Sequence, residues 1–154
     1  MDVAVRRGTA EDAPSLARLR WRWRIEERGE PGGDRDAFLD YFATWTIDHL
    51  ATHVPFVAEV DGRLAGMAFL AISDRVPSPA RMDRRTGDVQ SVYVVPDLRG
   101  RGVGAQMMEA MRRYAQDREL VFVSVHSADR AVRFYQRWGF GENDRWLLWR
   151  PDPT

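Results

Sequence analysis

The chain has 154 residues, 44% hydrophobic and 30% charged, which is enough for one compact domain over residues 1–154 with its own core. Its 23 basic and 23 acidic residues cancel, so a nucleic-acid partner held by a globally positive field is not expected, and any anion site must be local. There is no cysteine, which excludes a disulfide framework, a thiolate zinc site and a cysteine nucleophile; there is no lysine either, which excludes the P-loop motif and Schiff-base chemistry.

The residues from Met1 to Arg7 lack the apolar core of a signal peptide, and no stretch approaches the roughly 20 apolar residues of a membrane span. The expectation is a soluble, cytoplasmic protein with no membrane partner. Val3 to Arg7 alternates weakly and predicts a short strand. Thr9-Ala10-Glu11-Asp12 then reads as an N-cap with an acidic first turn, opening a helix from about residue 10 to 28. Leu16, Leu19 and Trp23 form one apolar stripe on it, and Ala17, Trp21 and Ile25 another. The arginines interleaved with tryptophans from Arg18 to Arg24 look like a basic aromatic patch, but helical spacing scatters them around the axis and makes them a solvated face. Gly29 to Gly33, with Pro31, breaks the helix. Residues 34 to 52 carry Phe38, Tyr41, Phe42, Trp45 and Ile47 as a second helical pattern.

Residues 56–60 and 64–72 flank Asp61-Gly62, where both residues tolerate positive φ, and so predict a hairpin. Residues 75–86 hold two prolines and read as a loop; Val89 to Val95 is a β-branched strand stopped by Pro96. An amphipathic helix follows from residue 102 to about 117, then a buried-type strand over 120–125 and a short helix over 129–138 that Gly139 ends. Arg145 to Arg150, with Trp146, Leu147, Leu148 and Trp149, predicts a last strand, whose tryptophans are the candidate surface for a homodimer. No internal repeat or long linker divides the chain, and the fold class is mixed α/β.

Arg99-Gly100-Arg101-Gly102-Val103-Gly104 lies where a strand hands over to a helix. The first amides of a helix have no intrahelical acceptor and point outward, which suits an anion. Alternate glycines keep Cβ atoms off the backbone, and Arg99 and Arg101 can add charge-assisted hydrogen bonds, so a diphosphate fits this chemistry. A ligand-free glycine turn is the structural alternative. Gly100, Gly102 and Ala105 also satisfy the G-x-G-x-x-G/A dinucleotide spacing, but that fingerprint normally sits in the first strand-helix unit, whereas about ninety residues precede it here.

These residues resemble the GNAT superfamily of N-acetyltransferases, whose acetyl-CoA motif is Arg or Gln, two residues, Gly, one residue, then Gly or Ala; Arg99, Gly102 and Gly104 fill it. Ser91-Val92-Tyr93-Val94-Val95-Pro96 is similar to the family's central strand, and Ala131-Val132-Arg133-Phe134-Tyr135 with Gly139-Phe140 is similar to its later helix and turn. The resemblance implies a mixed, mostly antiparallel sheet with a splayed parallel strand pair and about four flanking helices. It also implies acetyl-CoA as cosubstrate, with the backbone at Val92, Tyr93 and Val94 meeting the pantetheine and acetyl group, and Arg99, Gly100, Arg101, Gly102, Val103 and Gly104 meeting the pyrophosphate. One departure is Ala128, where the family often has asparagine. Ser127 or Asp129 could substitute, although capping the short helix suits both types better.

The activity so implied is acetyl transfer to an amine of a small molecule or peptide; a non-catalytic acyl-CoA-binding module on the same fold is the alternative. A neutral amine can attack a thioester directly, and the chain has no G-x-S-x-G elbow for a serine nucleophile. The Val92 amide is the candidate oxyanion donor, provided the strand bulges there. Tyr135 is the candidate acid for the departing thiolate, with packing beside Phe134 as its structural alternative. Asp88, Glu59 and His126 are candidate proton acceptors. His49 and His53 stand one helical turn apart, but Leu50 occupies the place where the zinc-protease motif needs glutamate, so no metal is expected. The resemblance also implies an acceptor wall built from the helical hairpin, which makes Trp21, Ile25, Glu26 and Tyr41 its candidates, with core packing as the alternative for each.

Overall fold

Five strands form a single mixed sheet in the order β1-β2-β3-β4-β5. In this computed structural model, which describes residues 2–152, β1 (Val3–Arg7), β2 (His53–Val60), β3 (Arg63–Asp74) and β4 (Arg85–Val94) pair antiparallel in turn, and β5 (Val123–Val125) runs parallel to β4. Helices α1 (Ala13–Trp21) and α2 (Arg35–Asp48) cover one face, where Leu16 and Leu19 pack on Val57, Met67, Phe69 and Tyr93, with Phe42 against them. Helices α3 (Val103–Asp117) and α4 (Val132–Arg137) cover the other, where Met108, Met111 and Tyr135 join Val54, Phe56, Leu70 and Val89.

Local chemistry explains most of the boundaries. Val103, Met107, Met108, Met111 and Ala115 are all buried on α3, the stripe a half-buried helix requires. Asp61 and Gly62 take φ of 51° and 76°, the left-handed pair that a tight hairpin demands. The first predicted helix is realised in three pieces: a 3-10 turn at Ala10–Asp12, α1, and a π-helical turn at Arg22–Glu27. Thr9 N–H donates to Asp12 Oδ2 at 2.8 Å, and Arg6 grips the same carboxylate with two bonds of 2.7 and 2.9 Å. Helix α2 starts on an Asp34 cap that accepts the Ala37 N–H at 2.8 Å and ends before the predicted residue 52.

Several strands differ from expectation: β2 begins at His53 rather than at residue 56, and β5 is only Val123–Val125 of the expected 120–125. β4 begins at Arg85, inside the expected loop of residues 75–86 and four residues before the expected strand, because Arg85 to Asp88 pair with Asp74 to Ala71; cross-strand pairing overrides intrinsic preference. The predicted last strand does not form. Residues 146–150 adopt no regular structure, Leu147 is 92% exposed, and Trp146 lies edge-on to Phe122 at 5.2 Å. Four apolar residues in sequence are compatible with a buried strand, but composition forms none without a paired neighbour.

The feature that matters most for function lies within β4. Met67 pairs with Tyr93 and Phe69 with Gln90, so β4 carries one residue more than β3 between these rungs, and Ser91 takes a φ of 57°. This is a bulge. It reverses the alternation: Val89, Val92 and Val94 pack on the α3 side, while Tyr93 packs on the α1 side. Pairing with β5 also stops at Val89–Val125, five residues before β4 ends. The two parallel strands therefore part just where β4 bulges.

Candidate active site

The glycine loop forms the upper end of this gap. β4 ends at Val94, a 3-10 turn spans Pro96–Leu98, and α3 starts at Val103 on a Gly102 N-cap. Gly100 and Gly102 adopt φ of 74° and 80°, and a Cβ at either would point into open space. The first closed turn of α3 is the bond from Gln106 N–H to Gly102 O, at 3.1 Å, so the amides of Val103, Gly104 and Ala105 lack intrahelical acceptors. A Cβ on Gly104 would sit 3.4 Å from Phe134, which brings the start of α3 against the aromatic end of α4. Open backbone, helix N-terminus and exposed arginines fit a diphosphate.

Tyr135 is buried between the rings of Phe134 and Phe140, at 5.1 and 5.6 Å, in the cluster against which Val92 and Val125 also pack. Burial raises its phenol above the ordinary value, so it stays protonated through the neutral range. Asp88 pairs with Ser124 across the parallel rung. Its Oδ1 accepts from Ser124 Oγ and its Oδ2 from Gln90 Nε2, both at 3.0 Å. Alternation puts Asp88 on the face opposite Val89 and Tyr135.

A second group was not found from sequence. Tyr93, whose side chain lies on the α1 face, donates its hydroxyl to Glu27 Oε1, and Arg99 Nη2 donates to Glu27 Oε2 at 2.9 Å. Arg99 Nε also donates to Val94 O at 2.9 Å, and its guanidinium lies 5.6 Å from the Tyr93 ring centre. Trp23 stacks on Tyr93 at 5.4 Å. Desolvation, the hydrogen bond to Glu27 and its charge push the Tyr93 phenol up to about 12. Glu27 itself is pushed up by desolvation, but bonds from Tyr93 and Arg99 and the charges of Arg99 and Arg22 outweigh it and hold the carboxyl below its usual range. The only hint in the sequence was an acidic residue ending an arginine-rich helix. Nothing local joins it to residues 66 and 72 positions away.

The remaining candidates scatter. Glu59 pairs with Arg6 at 3.1 Å on β2, two strands from the gap. His126 is exposed just after β5. Trp21 packs on Phe38 at 5.7 Å, and Ile25 packs over Gly32. Glu26 lines a cleft of about 550 Å³ with Arg18, Arg22, Arg35 and Arg63, and Tyr41 is 71% exposed. His49 stacks on Trp45 and bonds to its carbonyl at 2.7 Å, and His53 meets Thr52 Oγ1 at 3.0 Å. Neither Ser127 nor Asp129 caps the short helix: Ala128 holds the cap position, and Ser127 Oγ donates to Ala128 O at 2.8 Å instead.

Fold and site together define a mixed sheet whose one parallel strand pair stops short beside a glycine-rich helix N-terminus. Residues 14–140 match the Acetyltransferase (GNAT) family, and the chain belongs to it. A glucosamine 6-phosphate N-acetyltransferase of Trypanosoma brucei brucei is 28% identical over 90 residues, spanning 58% of this chain and 59% of that protein. An uncharacterised N-acetyltransferase of Methanocaldococcus jannaschii is 32% identical over 93 residues, spanning 58% of this chain and 39% of its own length. The matched stretch thus covers little more than half of the first relative and well under half of the second. A predicted acetyltransferase of Clostridium acetobutylicum, solved with acetyl-CoA, shares the fold with a TM-score of 0.77 at 23% identity, covering 97% of this chain and 96% of that one.

Proposed function

We propose that the protein transfers the acetyl group of acetyl-CoA directly to an amine of a small molecule or peptide. The observation that carries this reading is the bulged end of β4, parted from β5 and leading straight into a helix N-terminus with open glycines. When bound, acetyl-CoA supplies an activated thioester. The amides at the start of α3 and the arginines of the loop hold its diphosphate, and the β4 backbone from Val92 to Val94 runs beside its pantetheine arm. The Val92 N–H, next to the bulge, stabilises the oxyanion as the amine attacks the carbonyl carbon. Tyr135 gives its proton to the departing sulfur, while Asp88 takes the amine's proton through water. The acceptor enters from the α1–α2 face and reaches the thioester through the gap.

Assay of thiol release tests the reaction cleanly, because the chain has no cysteine and every free thiol formed is CoA. Thiol release that requires both acetyl-CoA and an amine supports the reading; an amine panel should include glucosamine 6-phosphate, named for the trypanosomal relative. CoA binding with no amine-dependent thiol across the panel would instead make this a non-catalytic acyl-CoA module.

Location and assembly belong to the same reading. A cytoplasmic setting is supported by the cysteine-free sequence and by the finding that no helix among the described residues is long and apolar enough to cross a membrane. A homodimer is supported by the exposed run of Trp146, Leu147, Leu148 and Trp149. Sedimentation of the intact chain checks it.

A further inference from the structure

Arg99 opens the glycine loop, yet it does not extend freely from it. Its Nε and Nη2 bonds, to Val94 O and Glu27 Oε2, fasten one edge of the guanidinium to the end of β4 and to the π-helical turn. Nη1 takes part in neither bond, and the side chain is 51% exposed. A guanidinium can offer its remaining N–H groups to phosphate oxygens as charge-assisted hydrogen bonds. Glu27 is held in turn by the Tyr93 hydroxyl, and Tyr93 is fixed by stacking on Trp23. An ion pair this exposed adds little to stability, so its consequence should lie in binding.

We propose that Glu27 is a positioning residue for diphosphate recognition, holding the Arg99 guanidinium so that its Nη1 end meets the anion bound at residues 100–104. This rests on the acetyl-CoA reading above. It adds a link from the helical wall of the acceptor side to the cofactor loop: Trp23 orders Tyr93, Tyr93 orders Glu27, and Glu27 orders Arg99. Holding a flexible arginine in place before binding removes part of the ordering cost of association.

Four proteins test it by calorimetric titration with CoA at fixed ionic strength: the unaltered chain, Glu27→Gln, Arg99→Ala and the double variant, each checked for native melting. Glu27→Gln should weaken CoA about tenfold, and the double variant should bind no more weakly than Arg99→Ala, since residues of one network are not additive. The proposal is overturned if Glu27→Gln binds CoA like the unaltered chain, or binds it more tightly. It is equally overturned if Arg99→Ala has no effect, or if the Glu27→Gln loss persists in full on top of Arg99→Ala, which a merely structural role predicts. Failure of the unaltered chain to bind CoA is a separate result and removes the acetyl-CoA reading itself.

Discussion

Tyr135 sits with its phenol between two aromatic rings, a place phenylalanine could fill, and burial raises its pKa. If it is the acid, Tyr135→Phe should lower kcat by about 100-fold and leave CoA affinity unchanged. Unchanged kcat would reduce it to packing. Asp12 makes a different kind of prediction. Hydrogen bonds from Arg6 hold its carboxyl below the ordinary range against the opposing effect of burial. Arg6 remains 41% exposed, so the pair should contribute less than a buried one, and Asp12→Asn should cost about 2 kcal/mol, or about 4–8 °C in Tm. Because the folded pKa is depressed, this contribution is complete above the unfolded value of about 3.9 and disappears as pH falls through the folded one. Melting curves of the two proteins should therefore converge only in strong acid.

The bulge in β4 is the element on which the site depends. A non-glycine residue at φ 57° costs roughly 1–2 kcal/mol, so Ser91→Gly should be neutral or mildly stabilising with activity kept. Ser91→Val cannot take that φ easily and should cost about 2 kcal/mol and lower kcat, by dragging the Val92 amide out of place; equal kcat in both variants would detach the bulge from catalysis. Much of this scale was legible beforehand. The Asp61-Gly62 turn, the methionine stripe of α3 and the glycine loop each announce themselves within a few residues. The bulge did not, because serine carries no marker of positive φ and the extra residue shows only against β3. Glu27 was invisible for the same reason: its partners, Tyr93 and Arg99, are brought to it by tertiary packing. Trp146 to Trp149 misled in the opposite direction, since β-forming composition without a partner strand yields exposed, irregular chain.

Across the whole molecule, the sheet separates two sets of groups. Asp88, Tyr93 and Glu27 belong to the α1–α2 side, while Val92 and Tyr135 belong to the α3–α4 side, and the β4–β5 pairing between them stops at Val89 and Val125. Apart from the last strand, which does not form, the order of elements was readable from the sequence, but the reversal of faces at Ser91, which sets this division, was not. The account stands on main-chain N–H groups at the bulge and at the start of α3 meeting acetyl-CoA. A nitrogen-labelled chain titrated with acetyl-CoA while amide resonances are followed reads those groups one by one. Saturable shifts are expected at Val92 and from Gly102 to Ala105, with the caps at Thr9 and Ala37 unmoved. Saturable binding that leaves Val92 and the α3 amides where they were, or no binding at millimolar ligand, contradicts it.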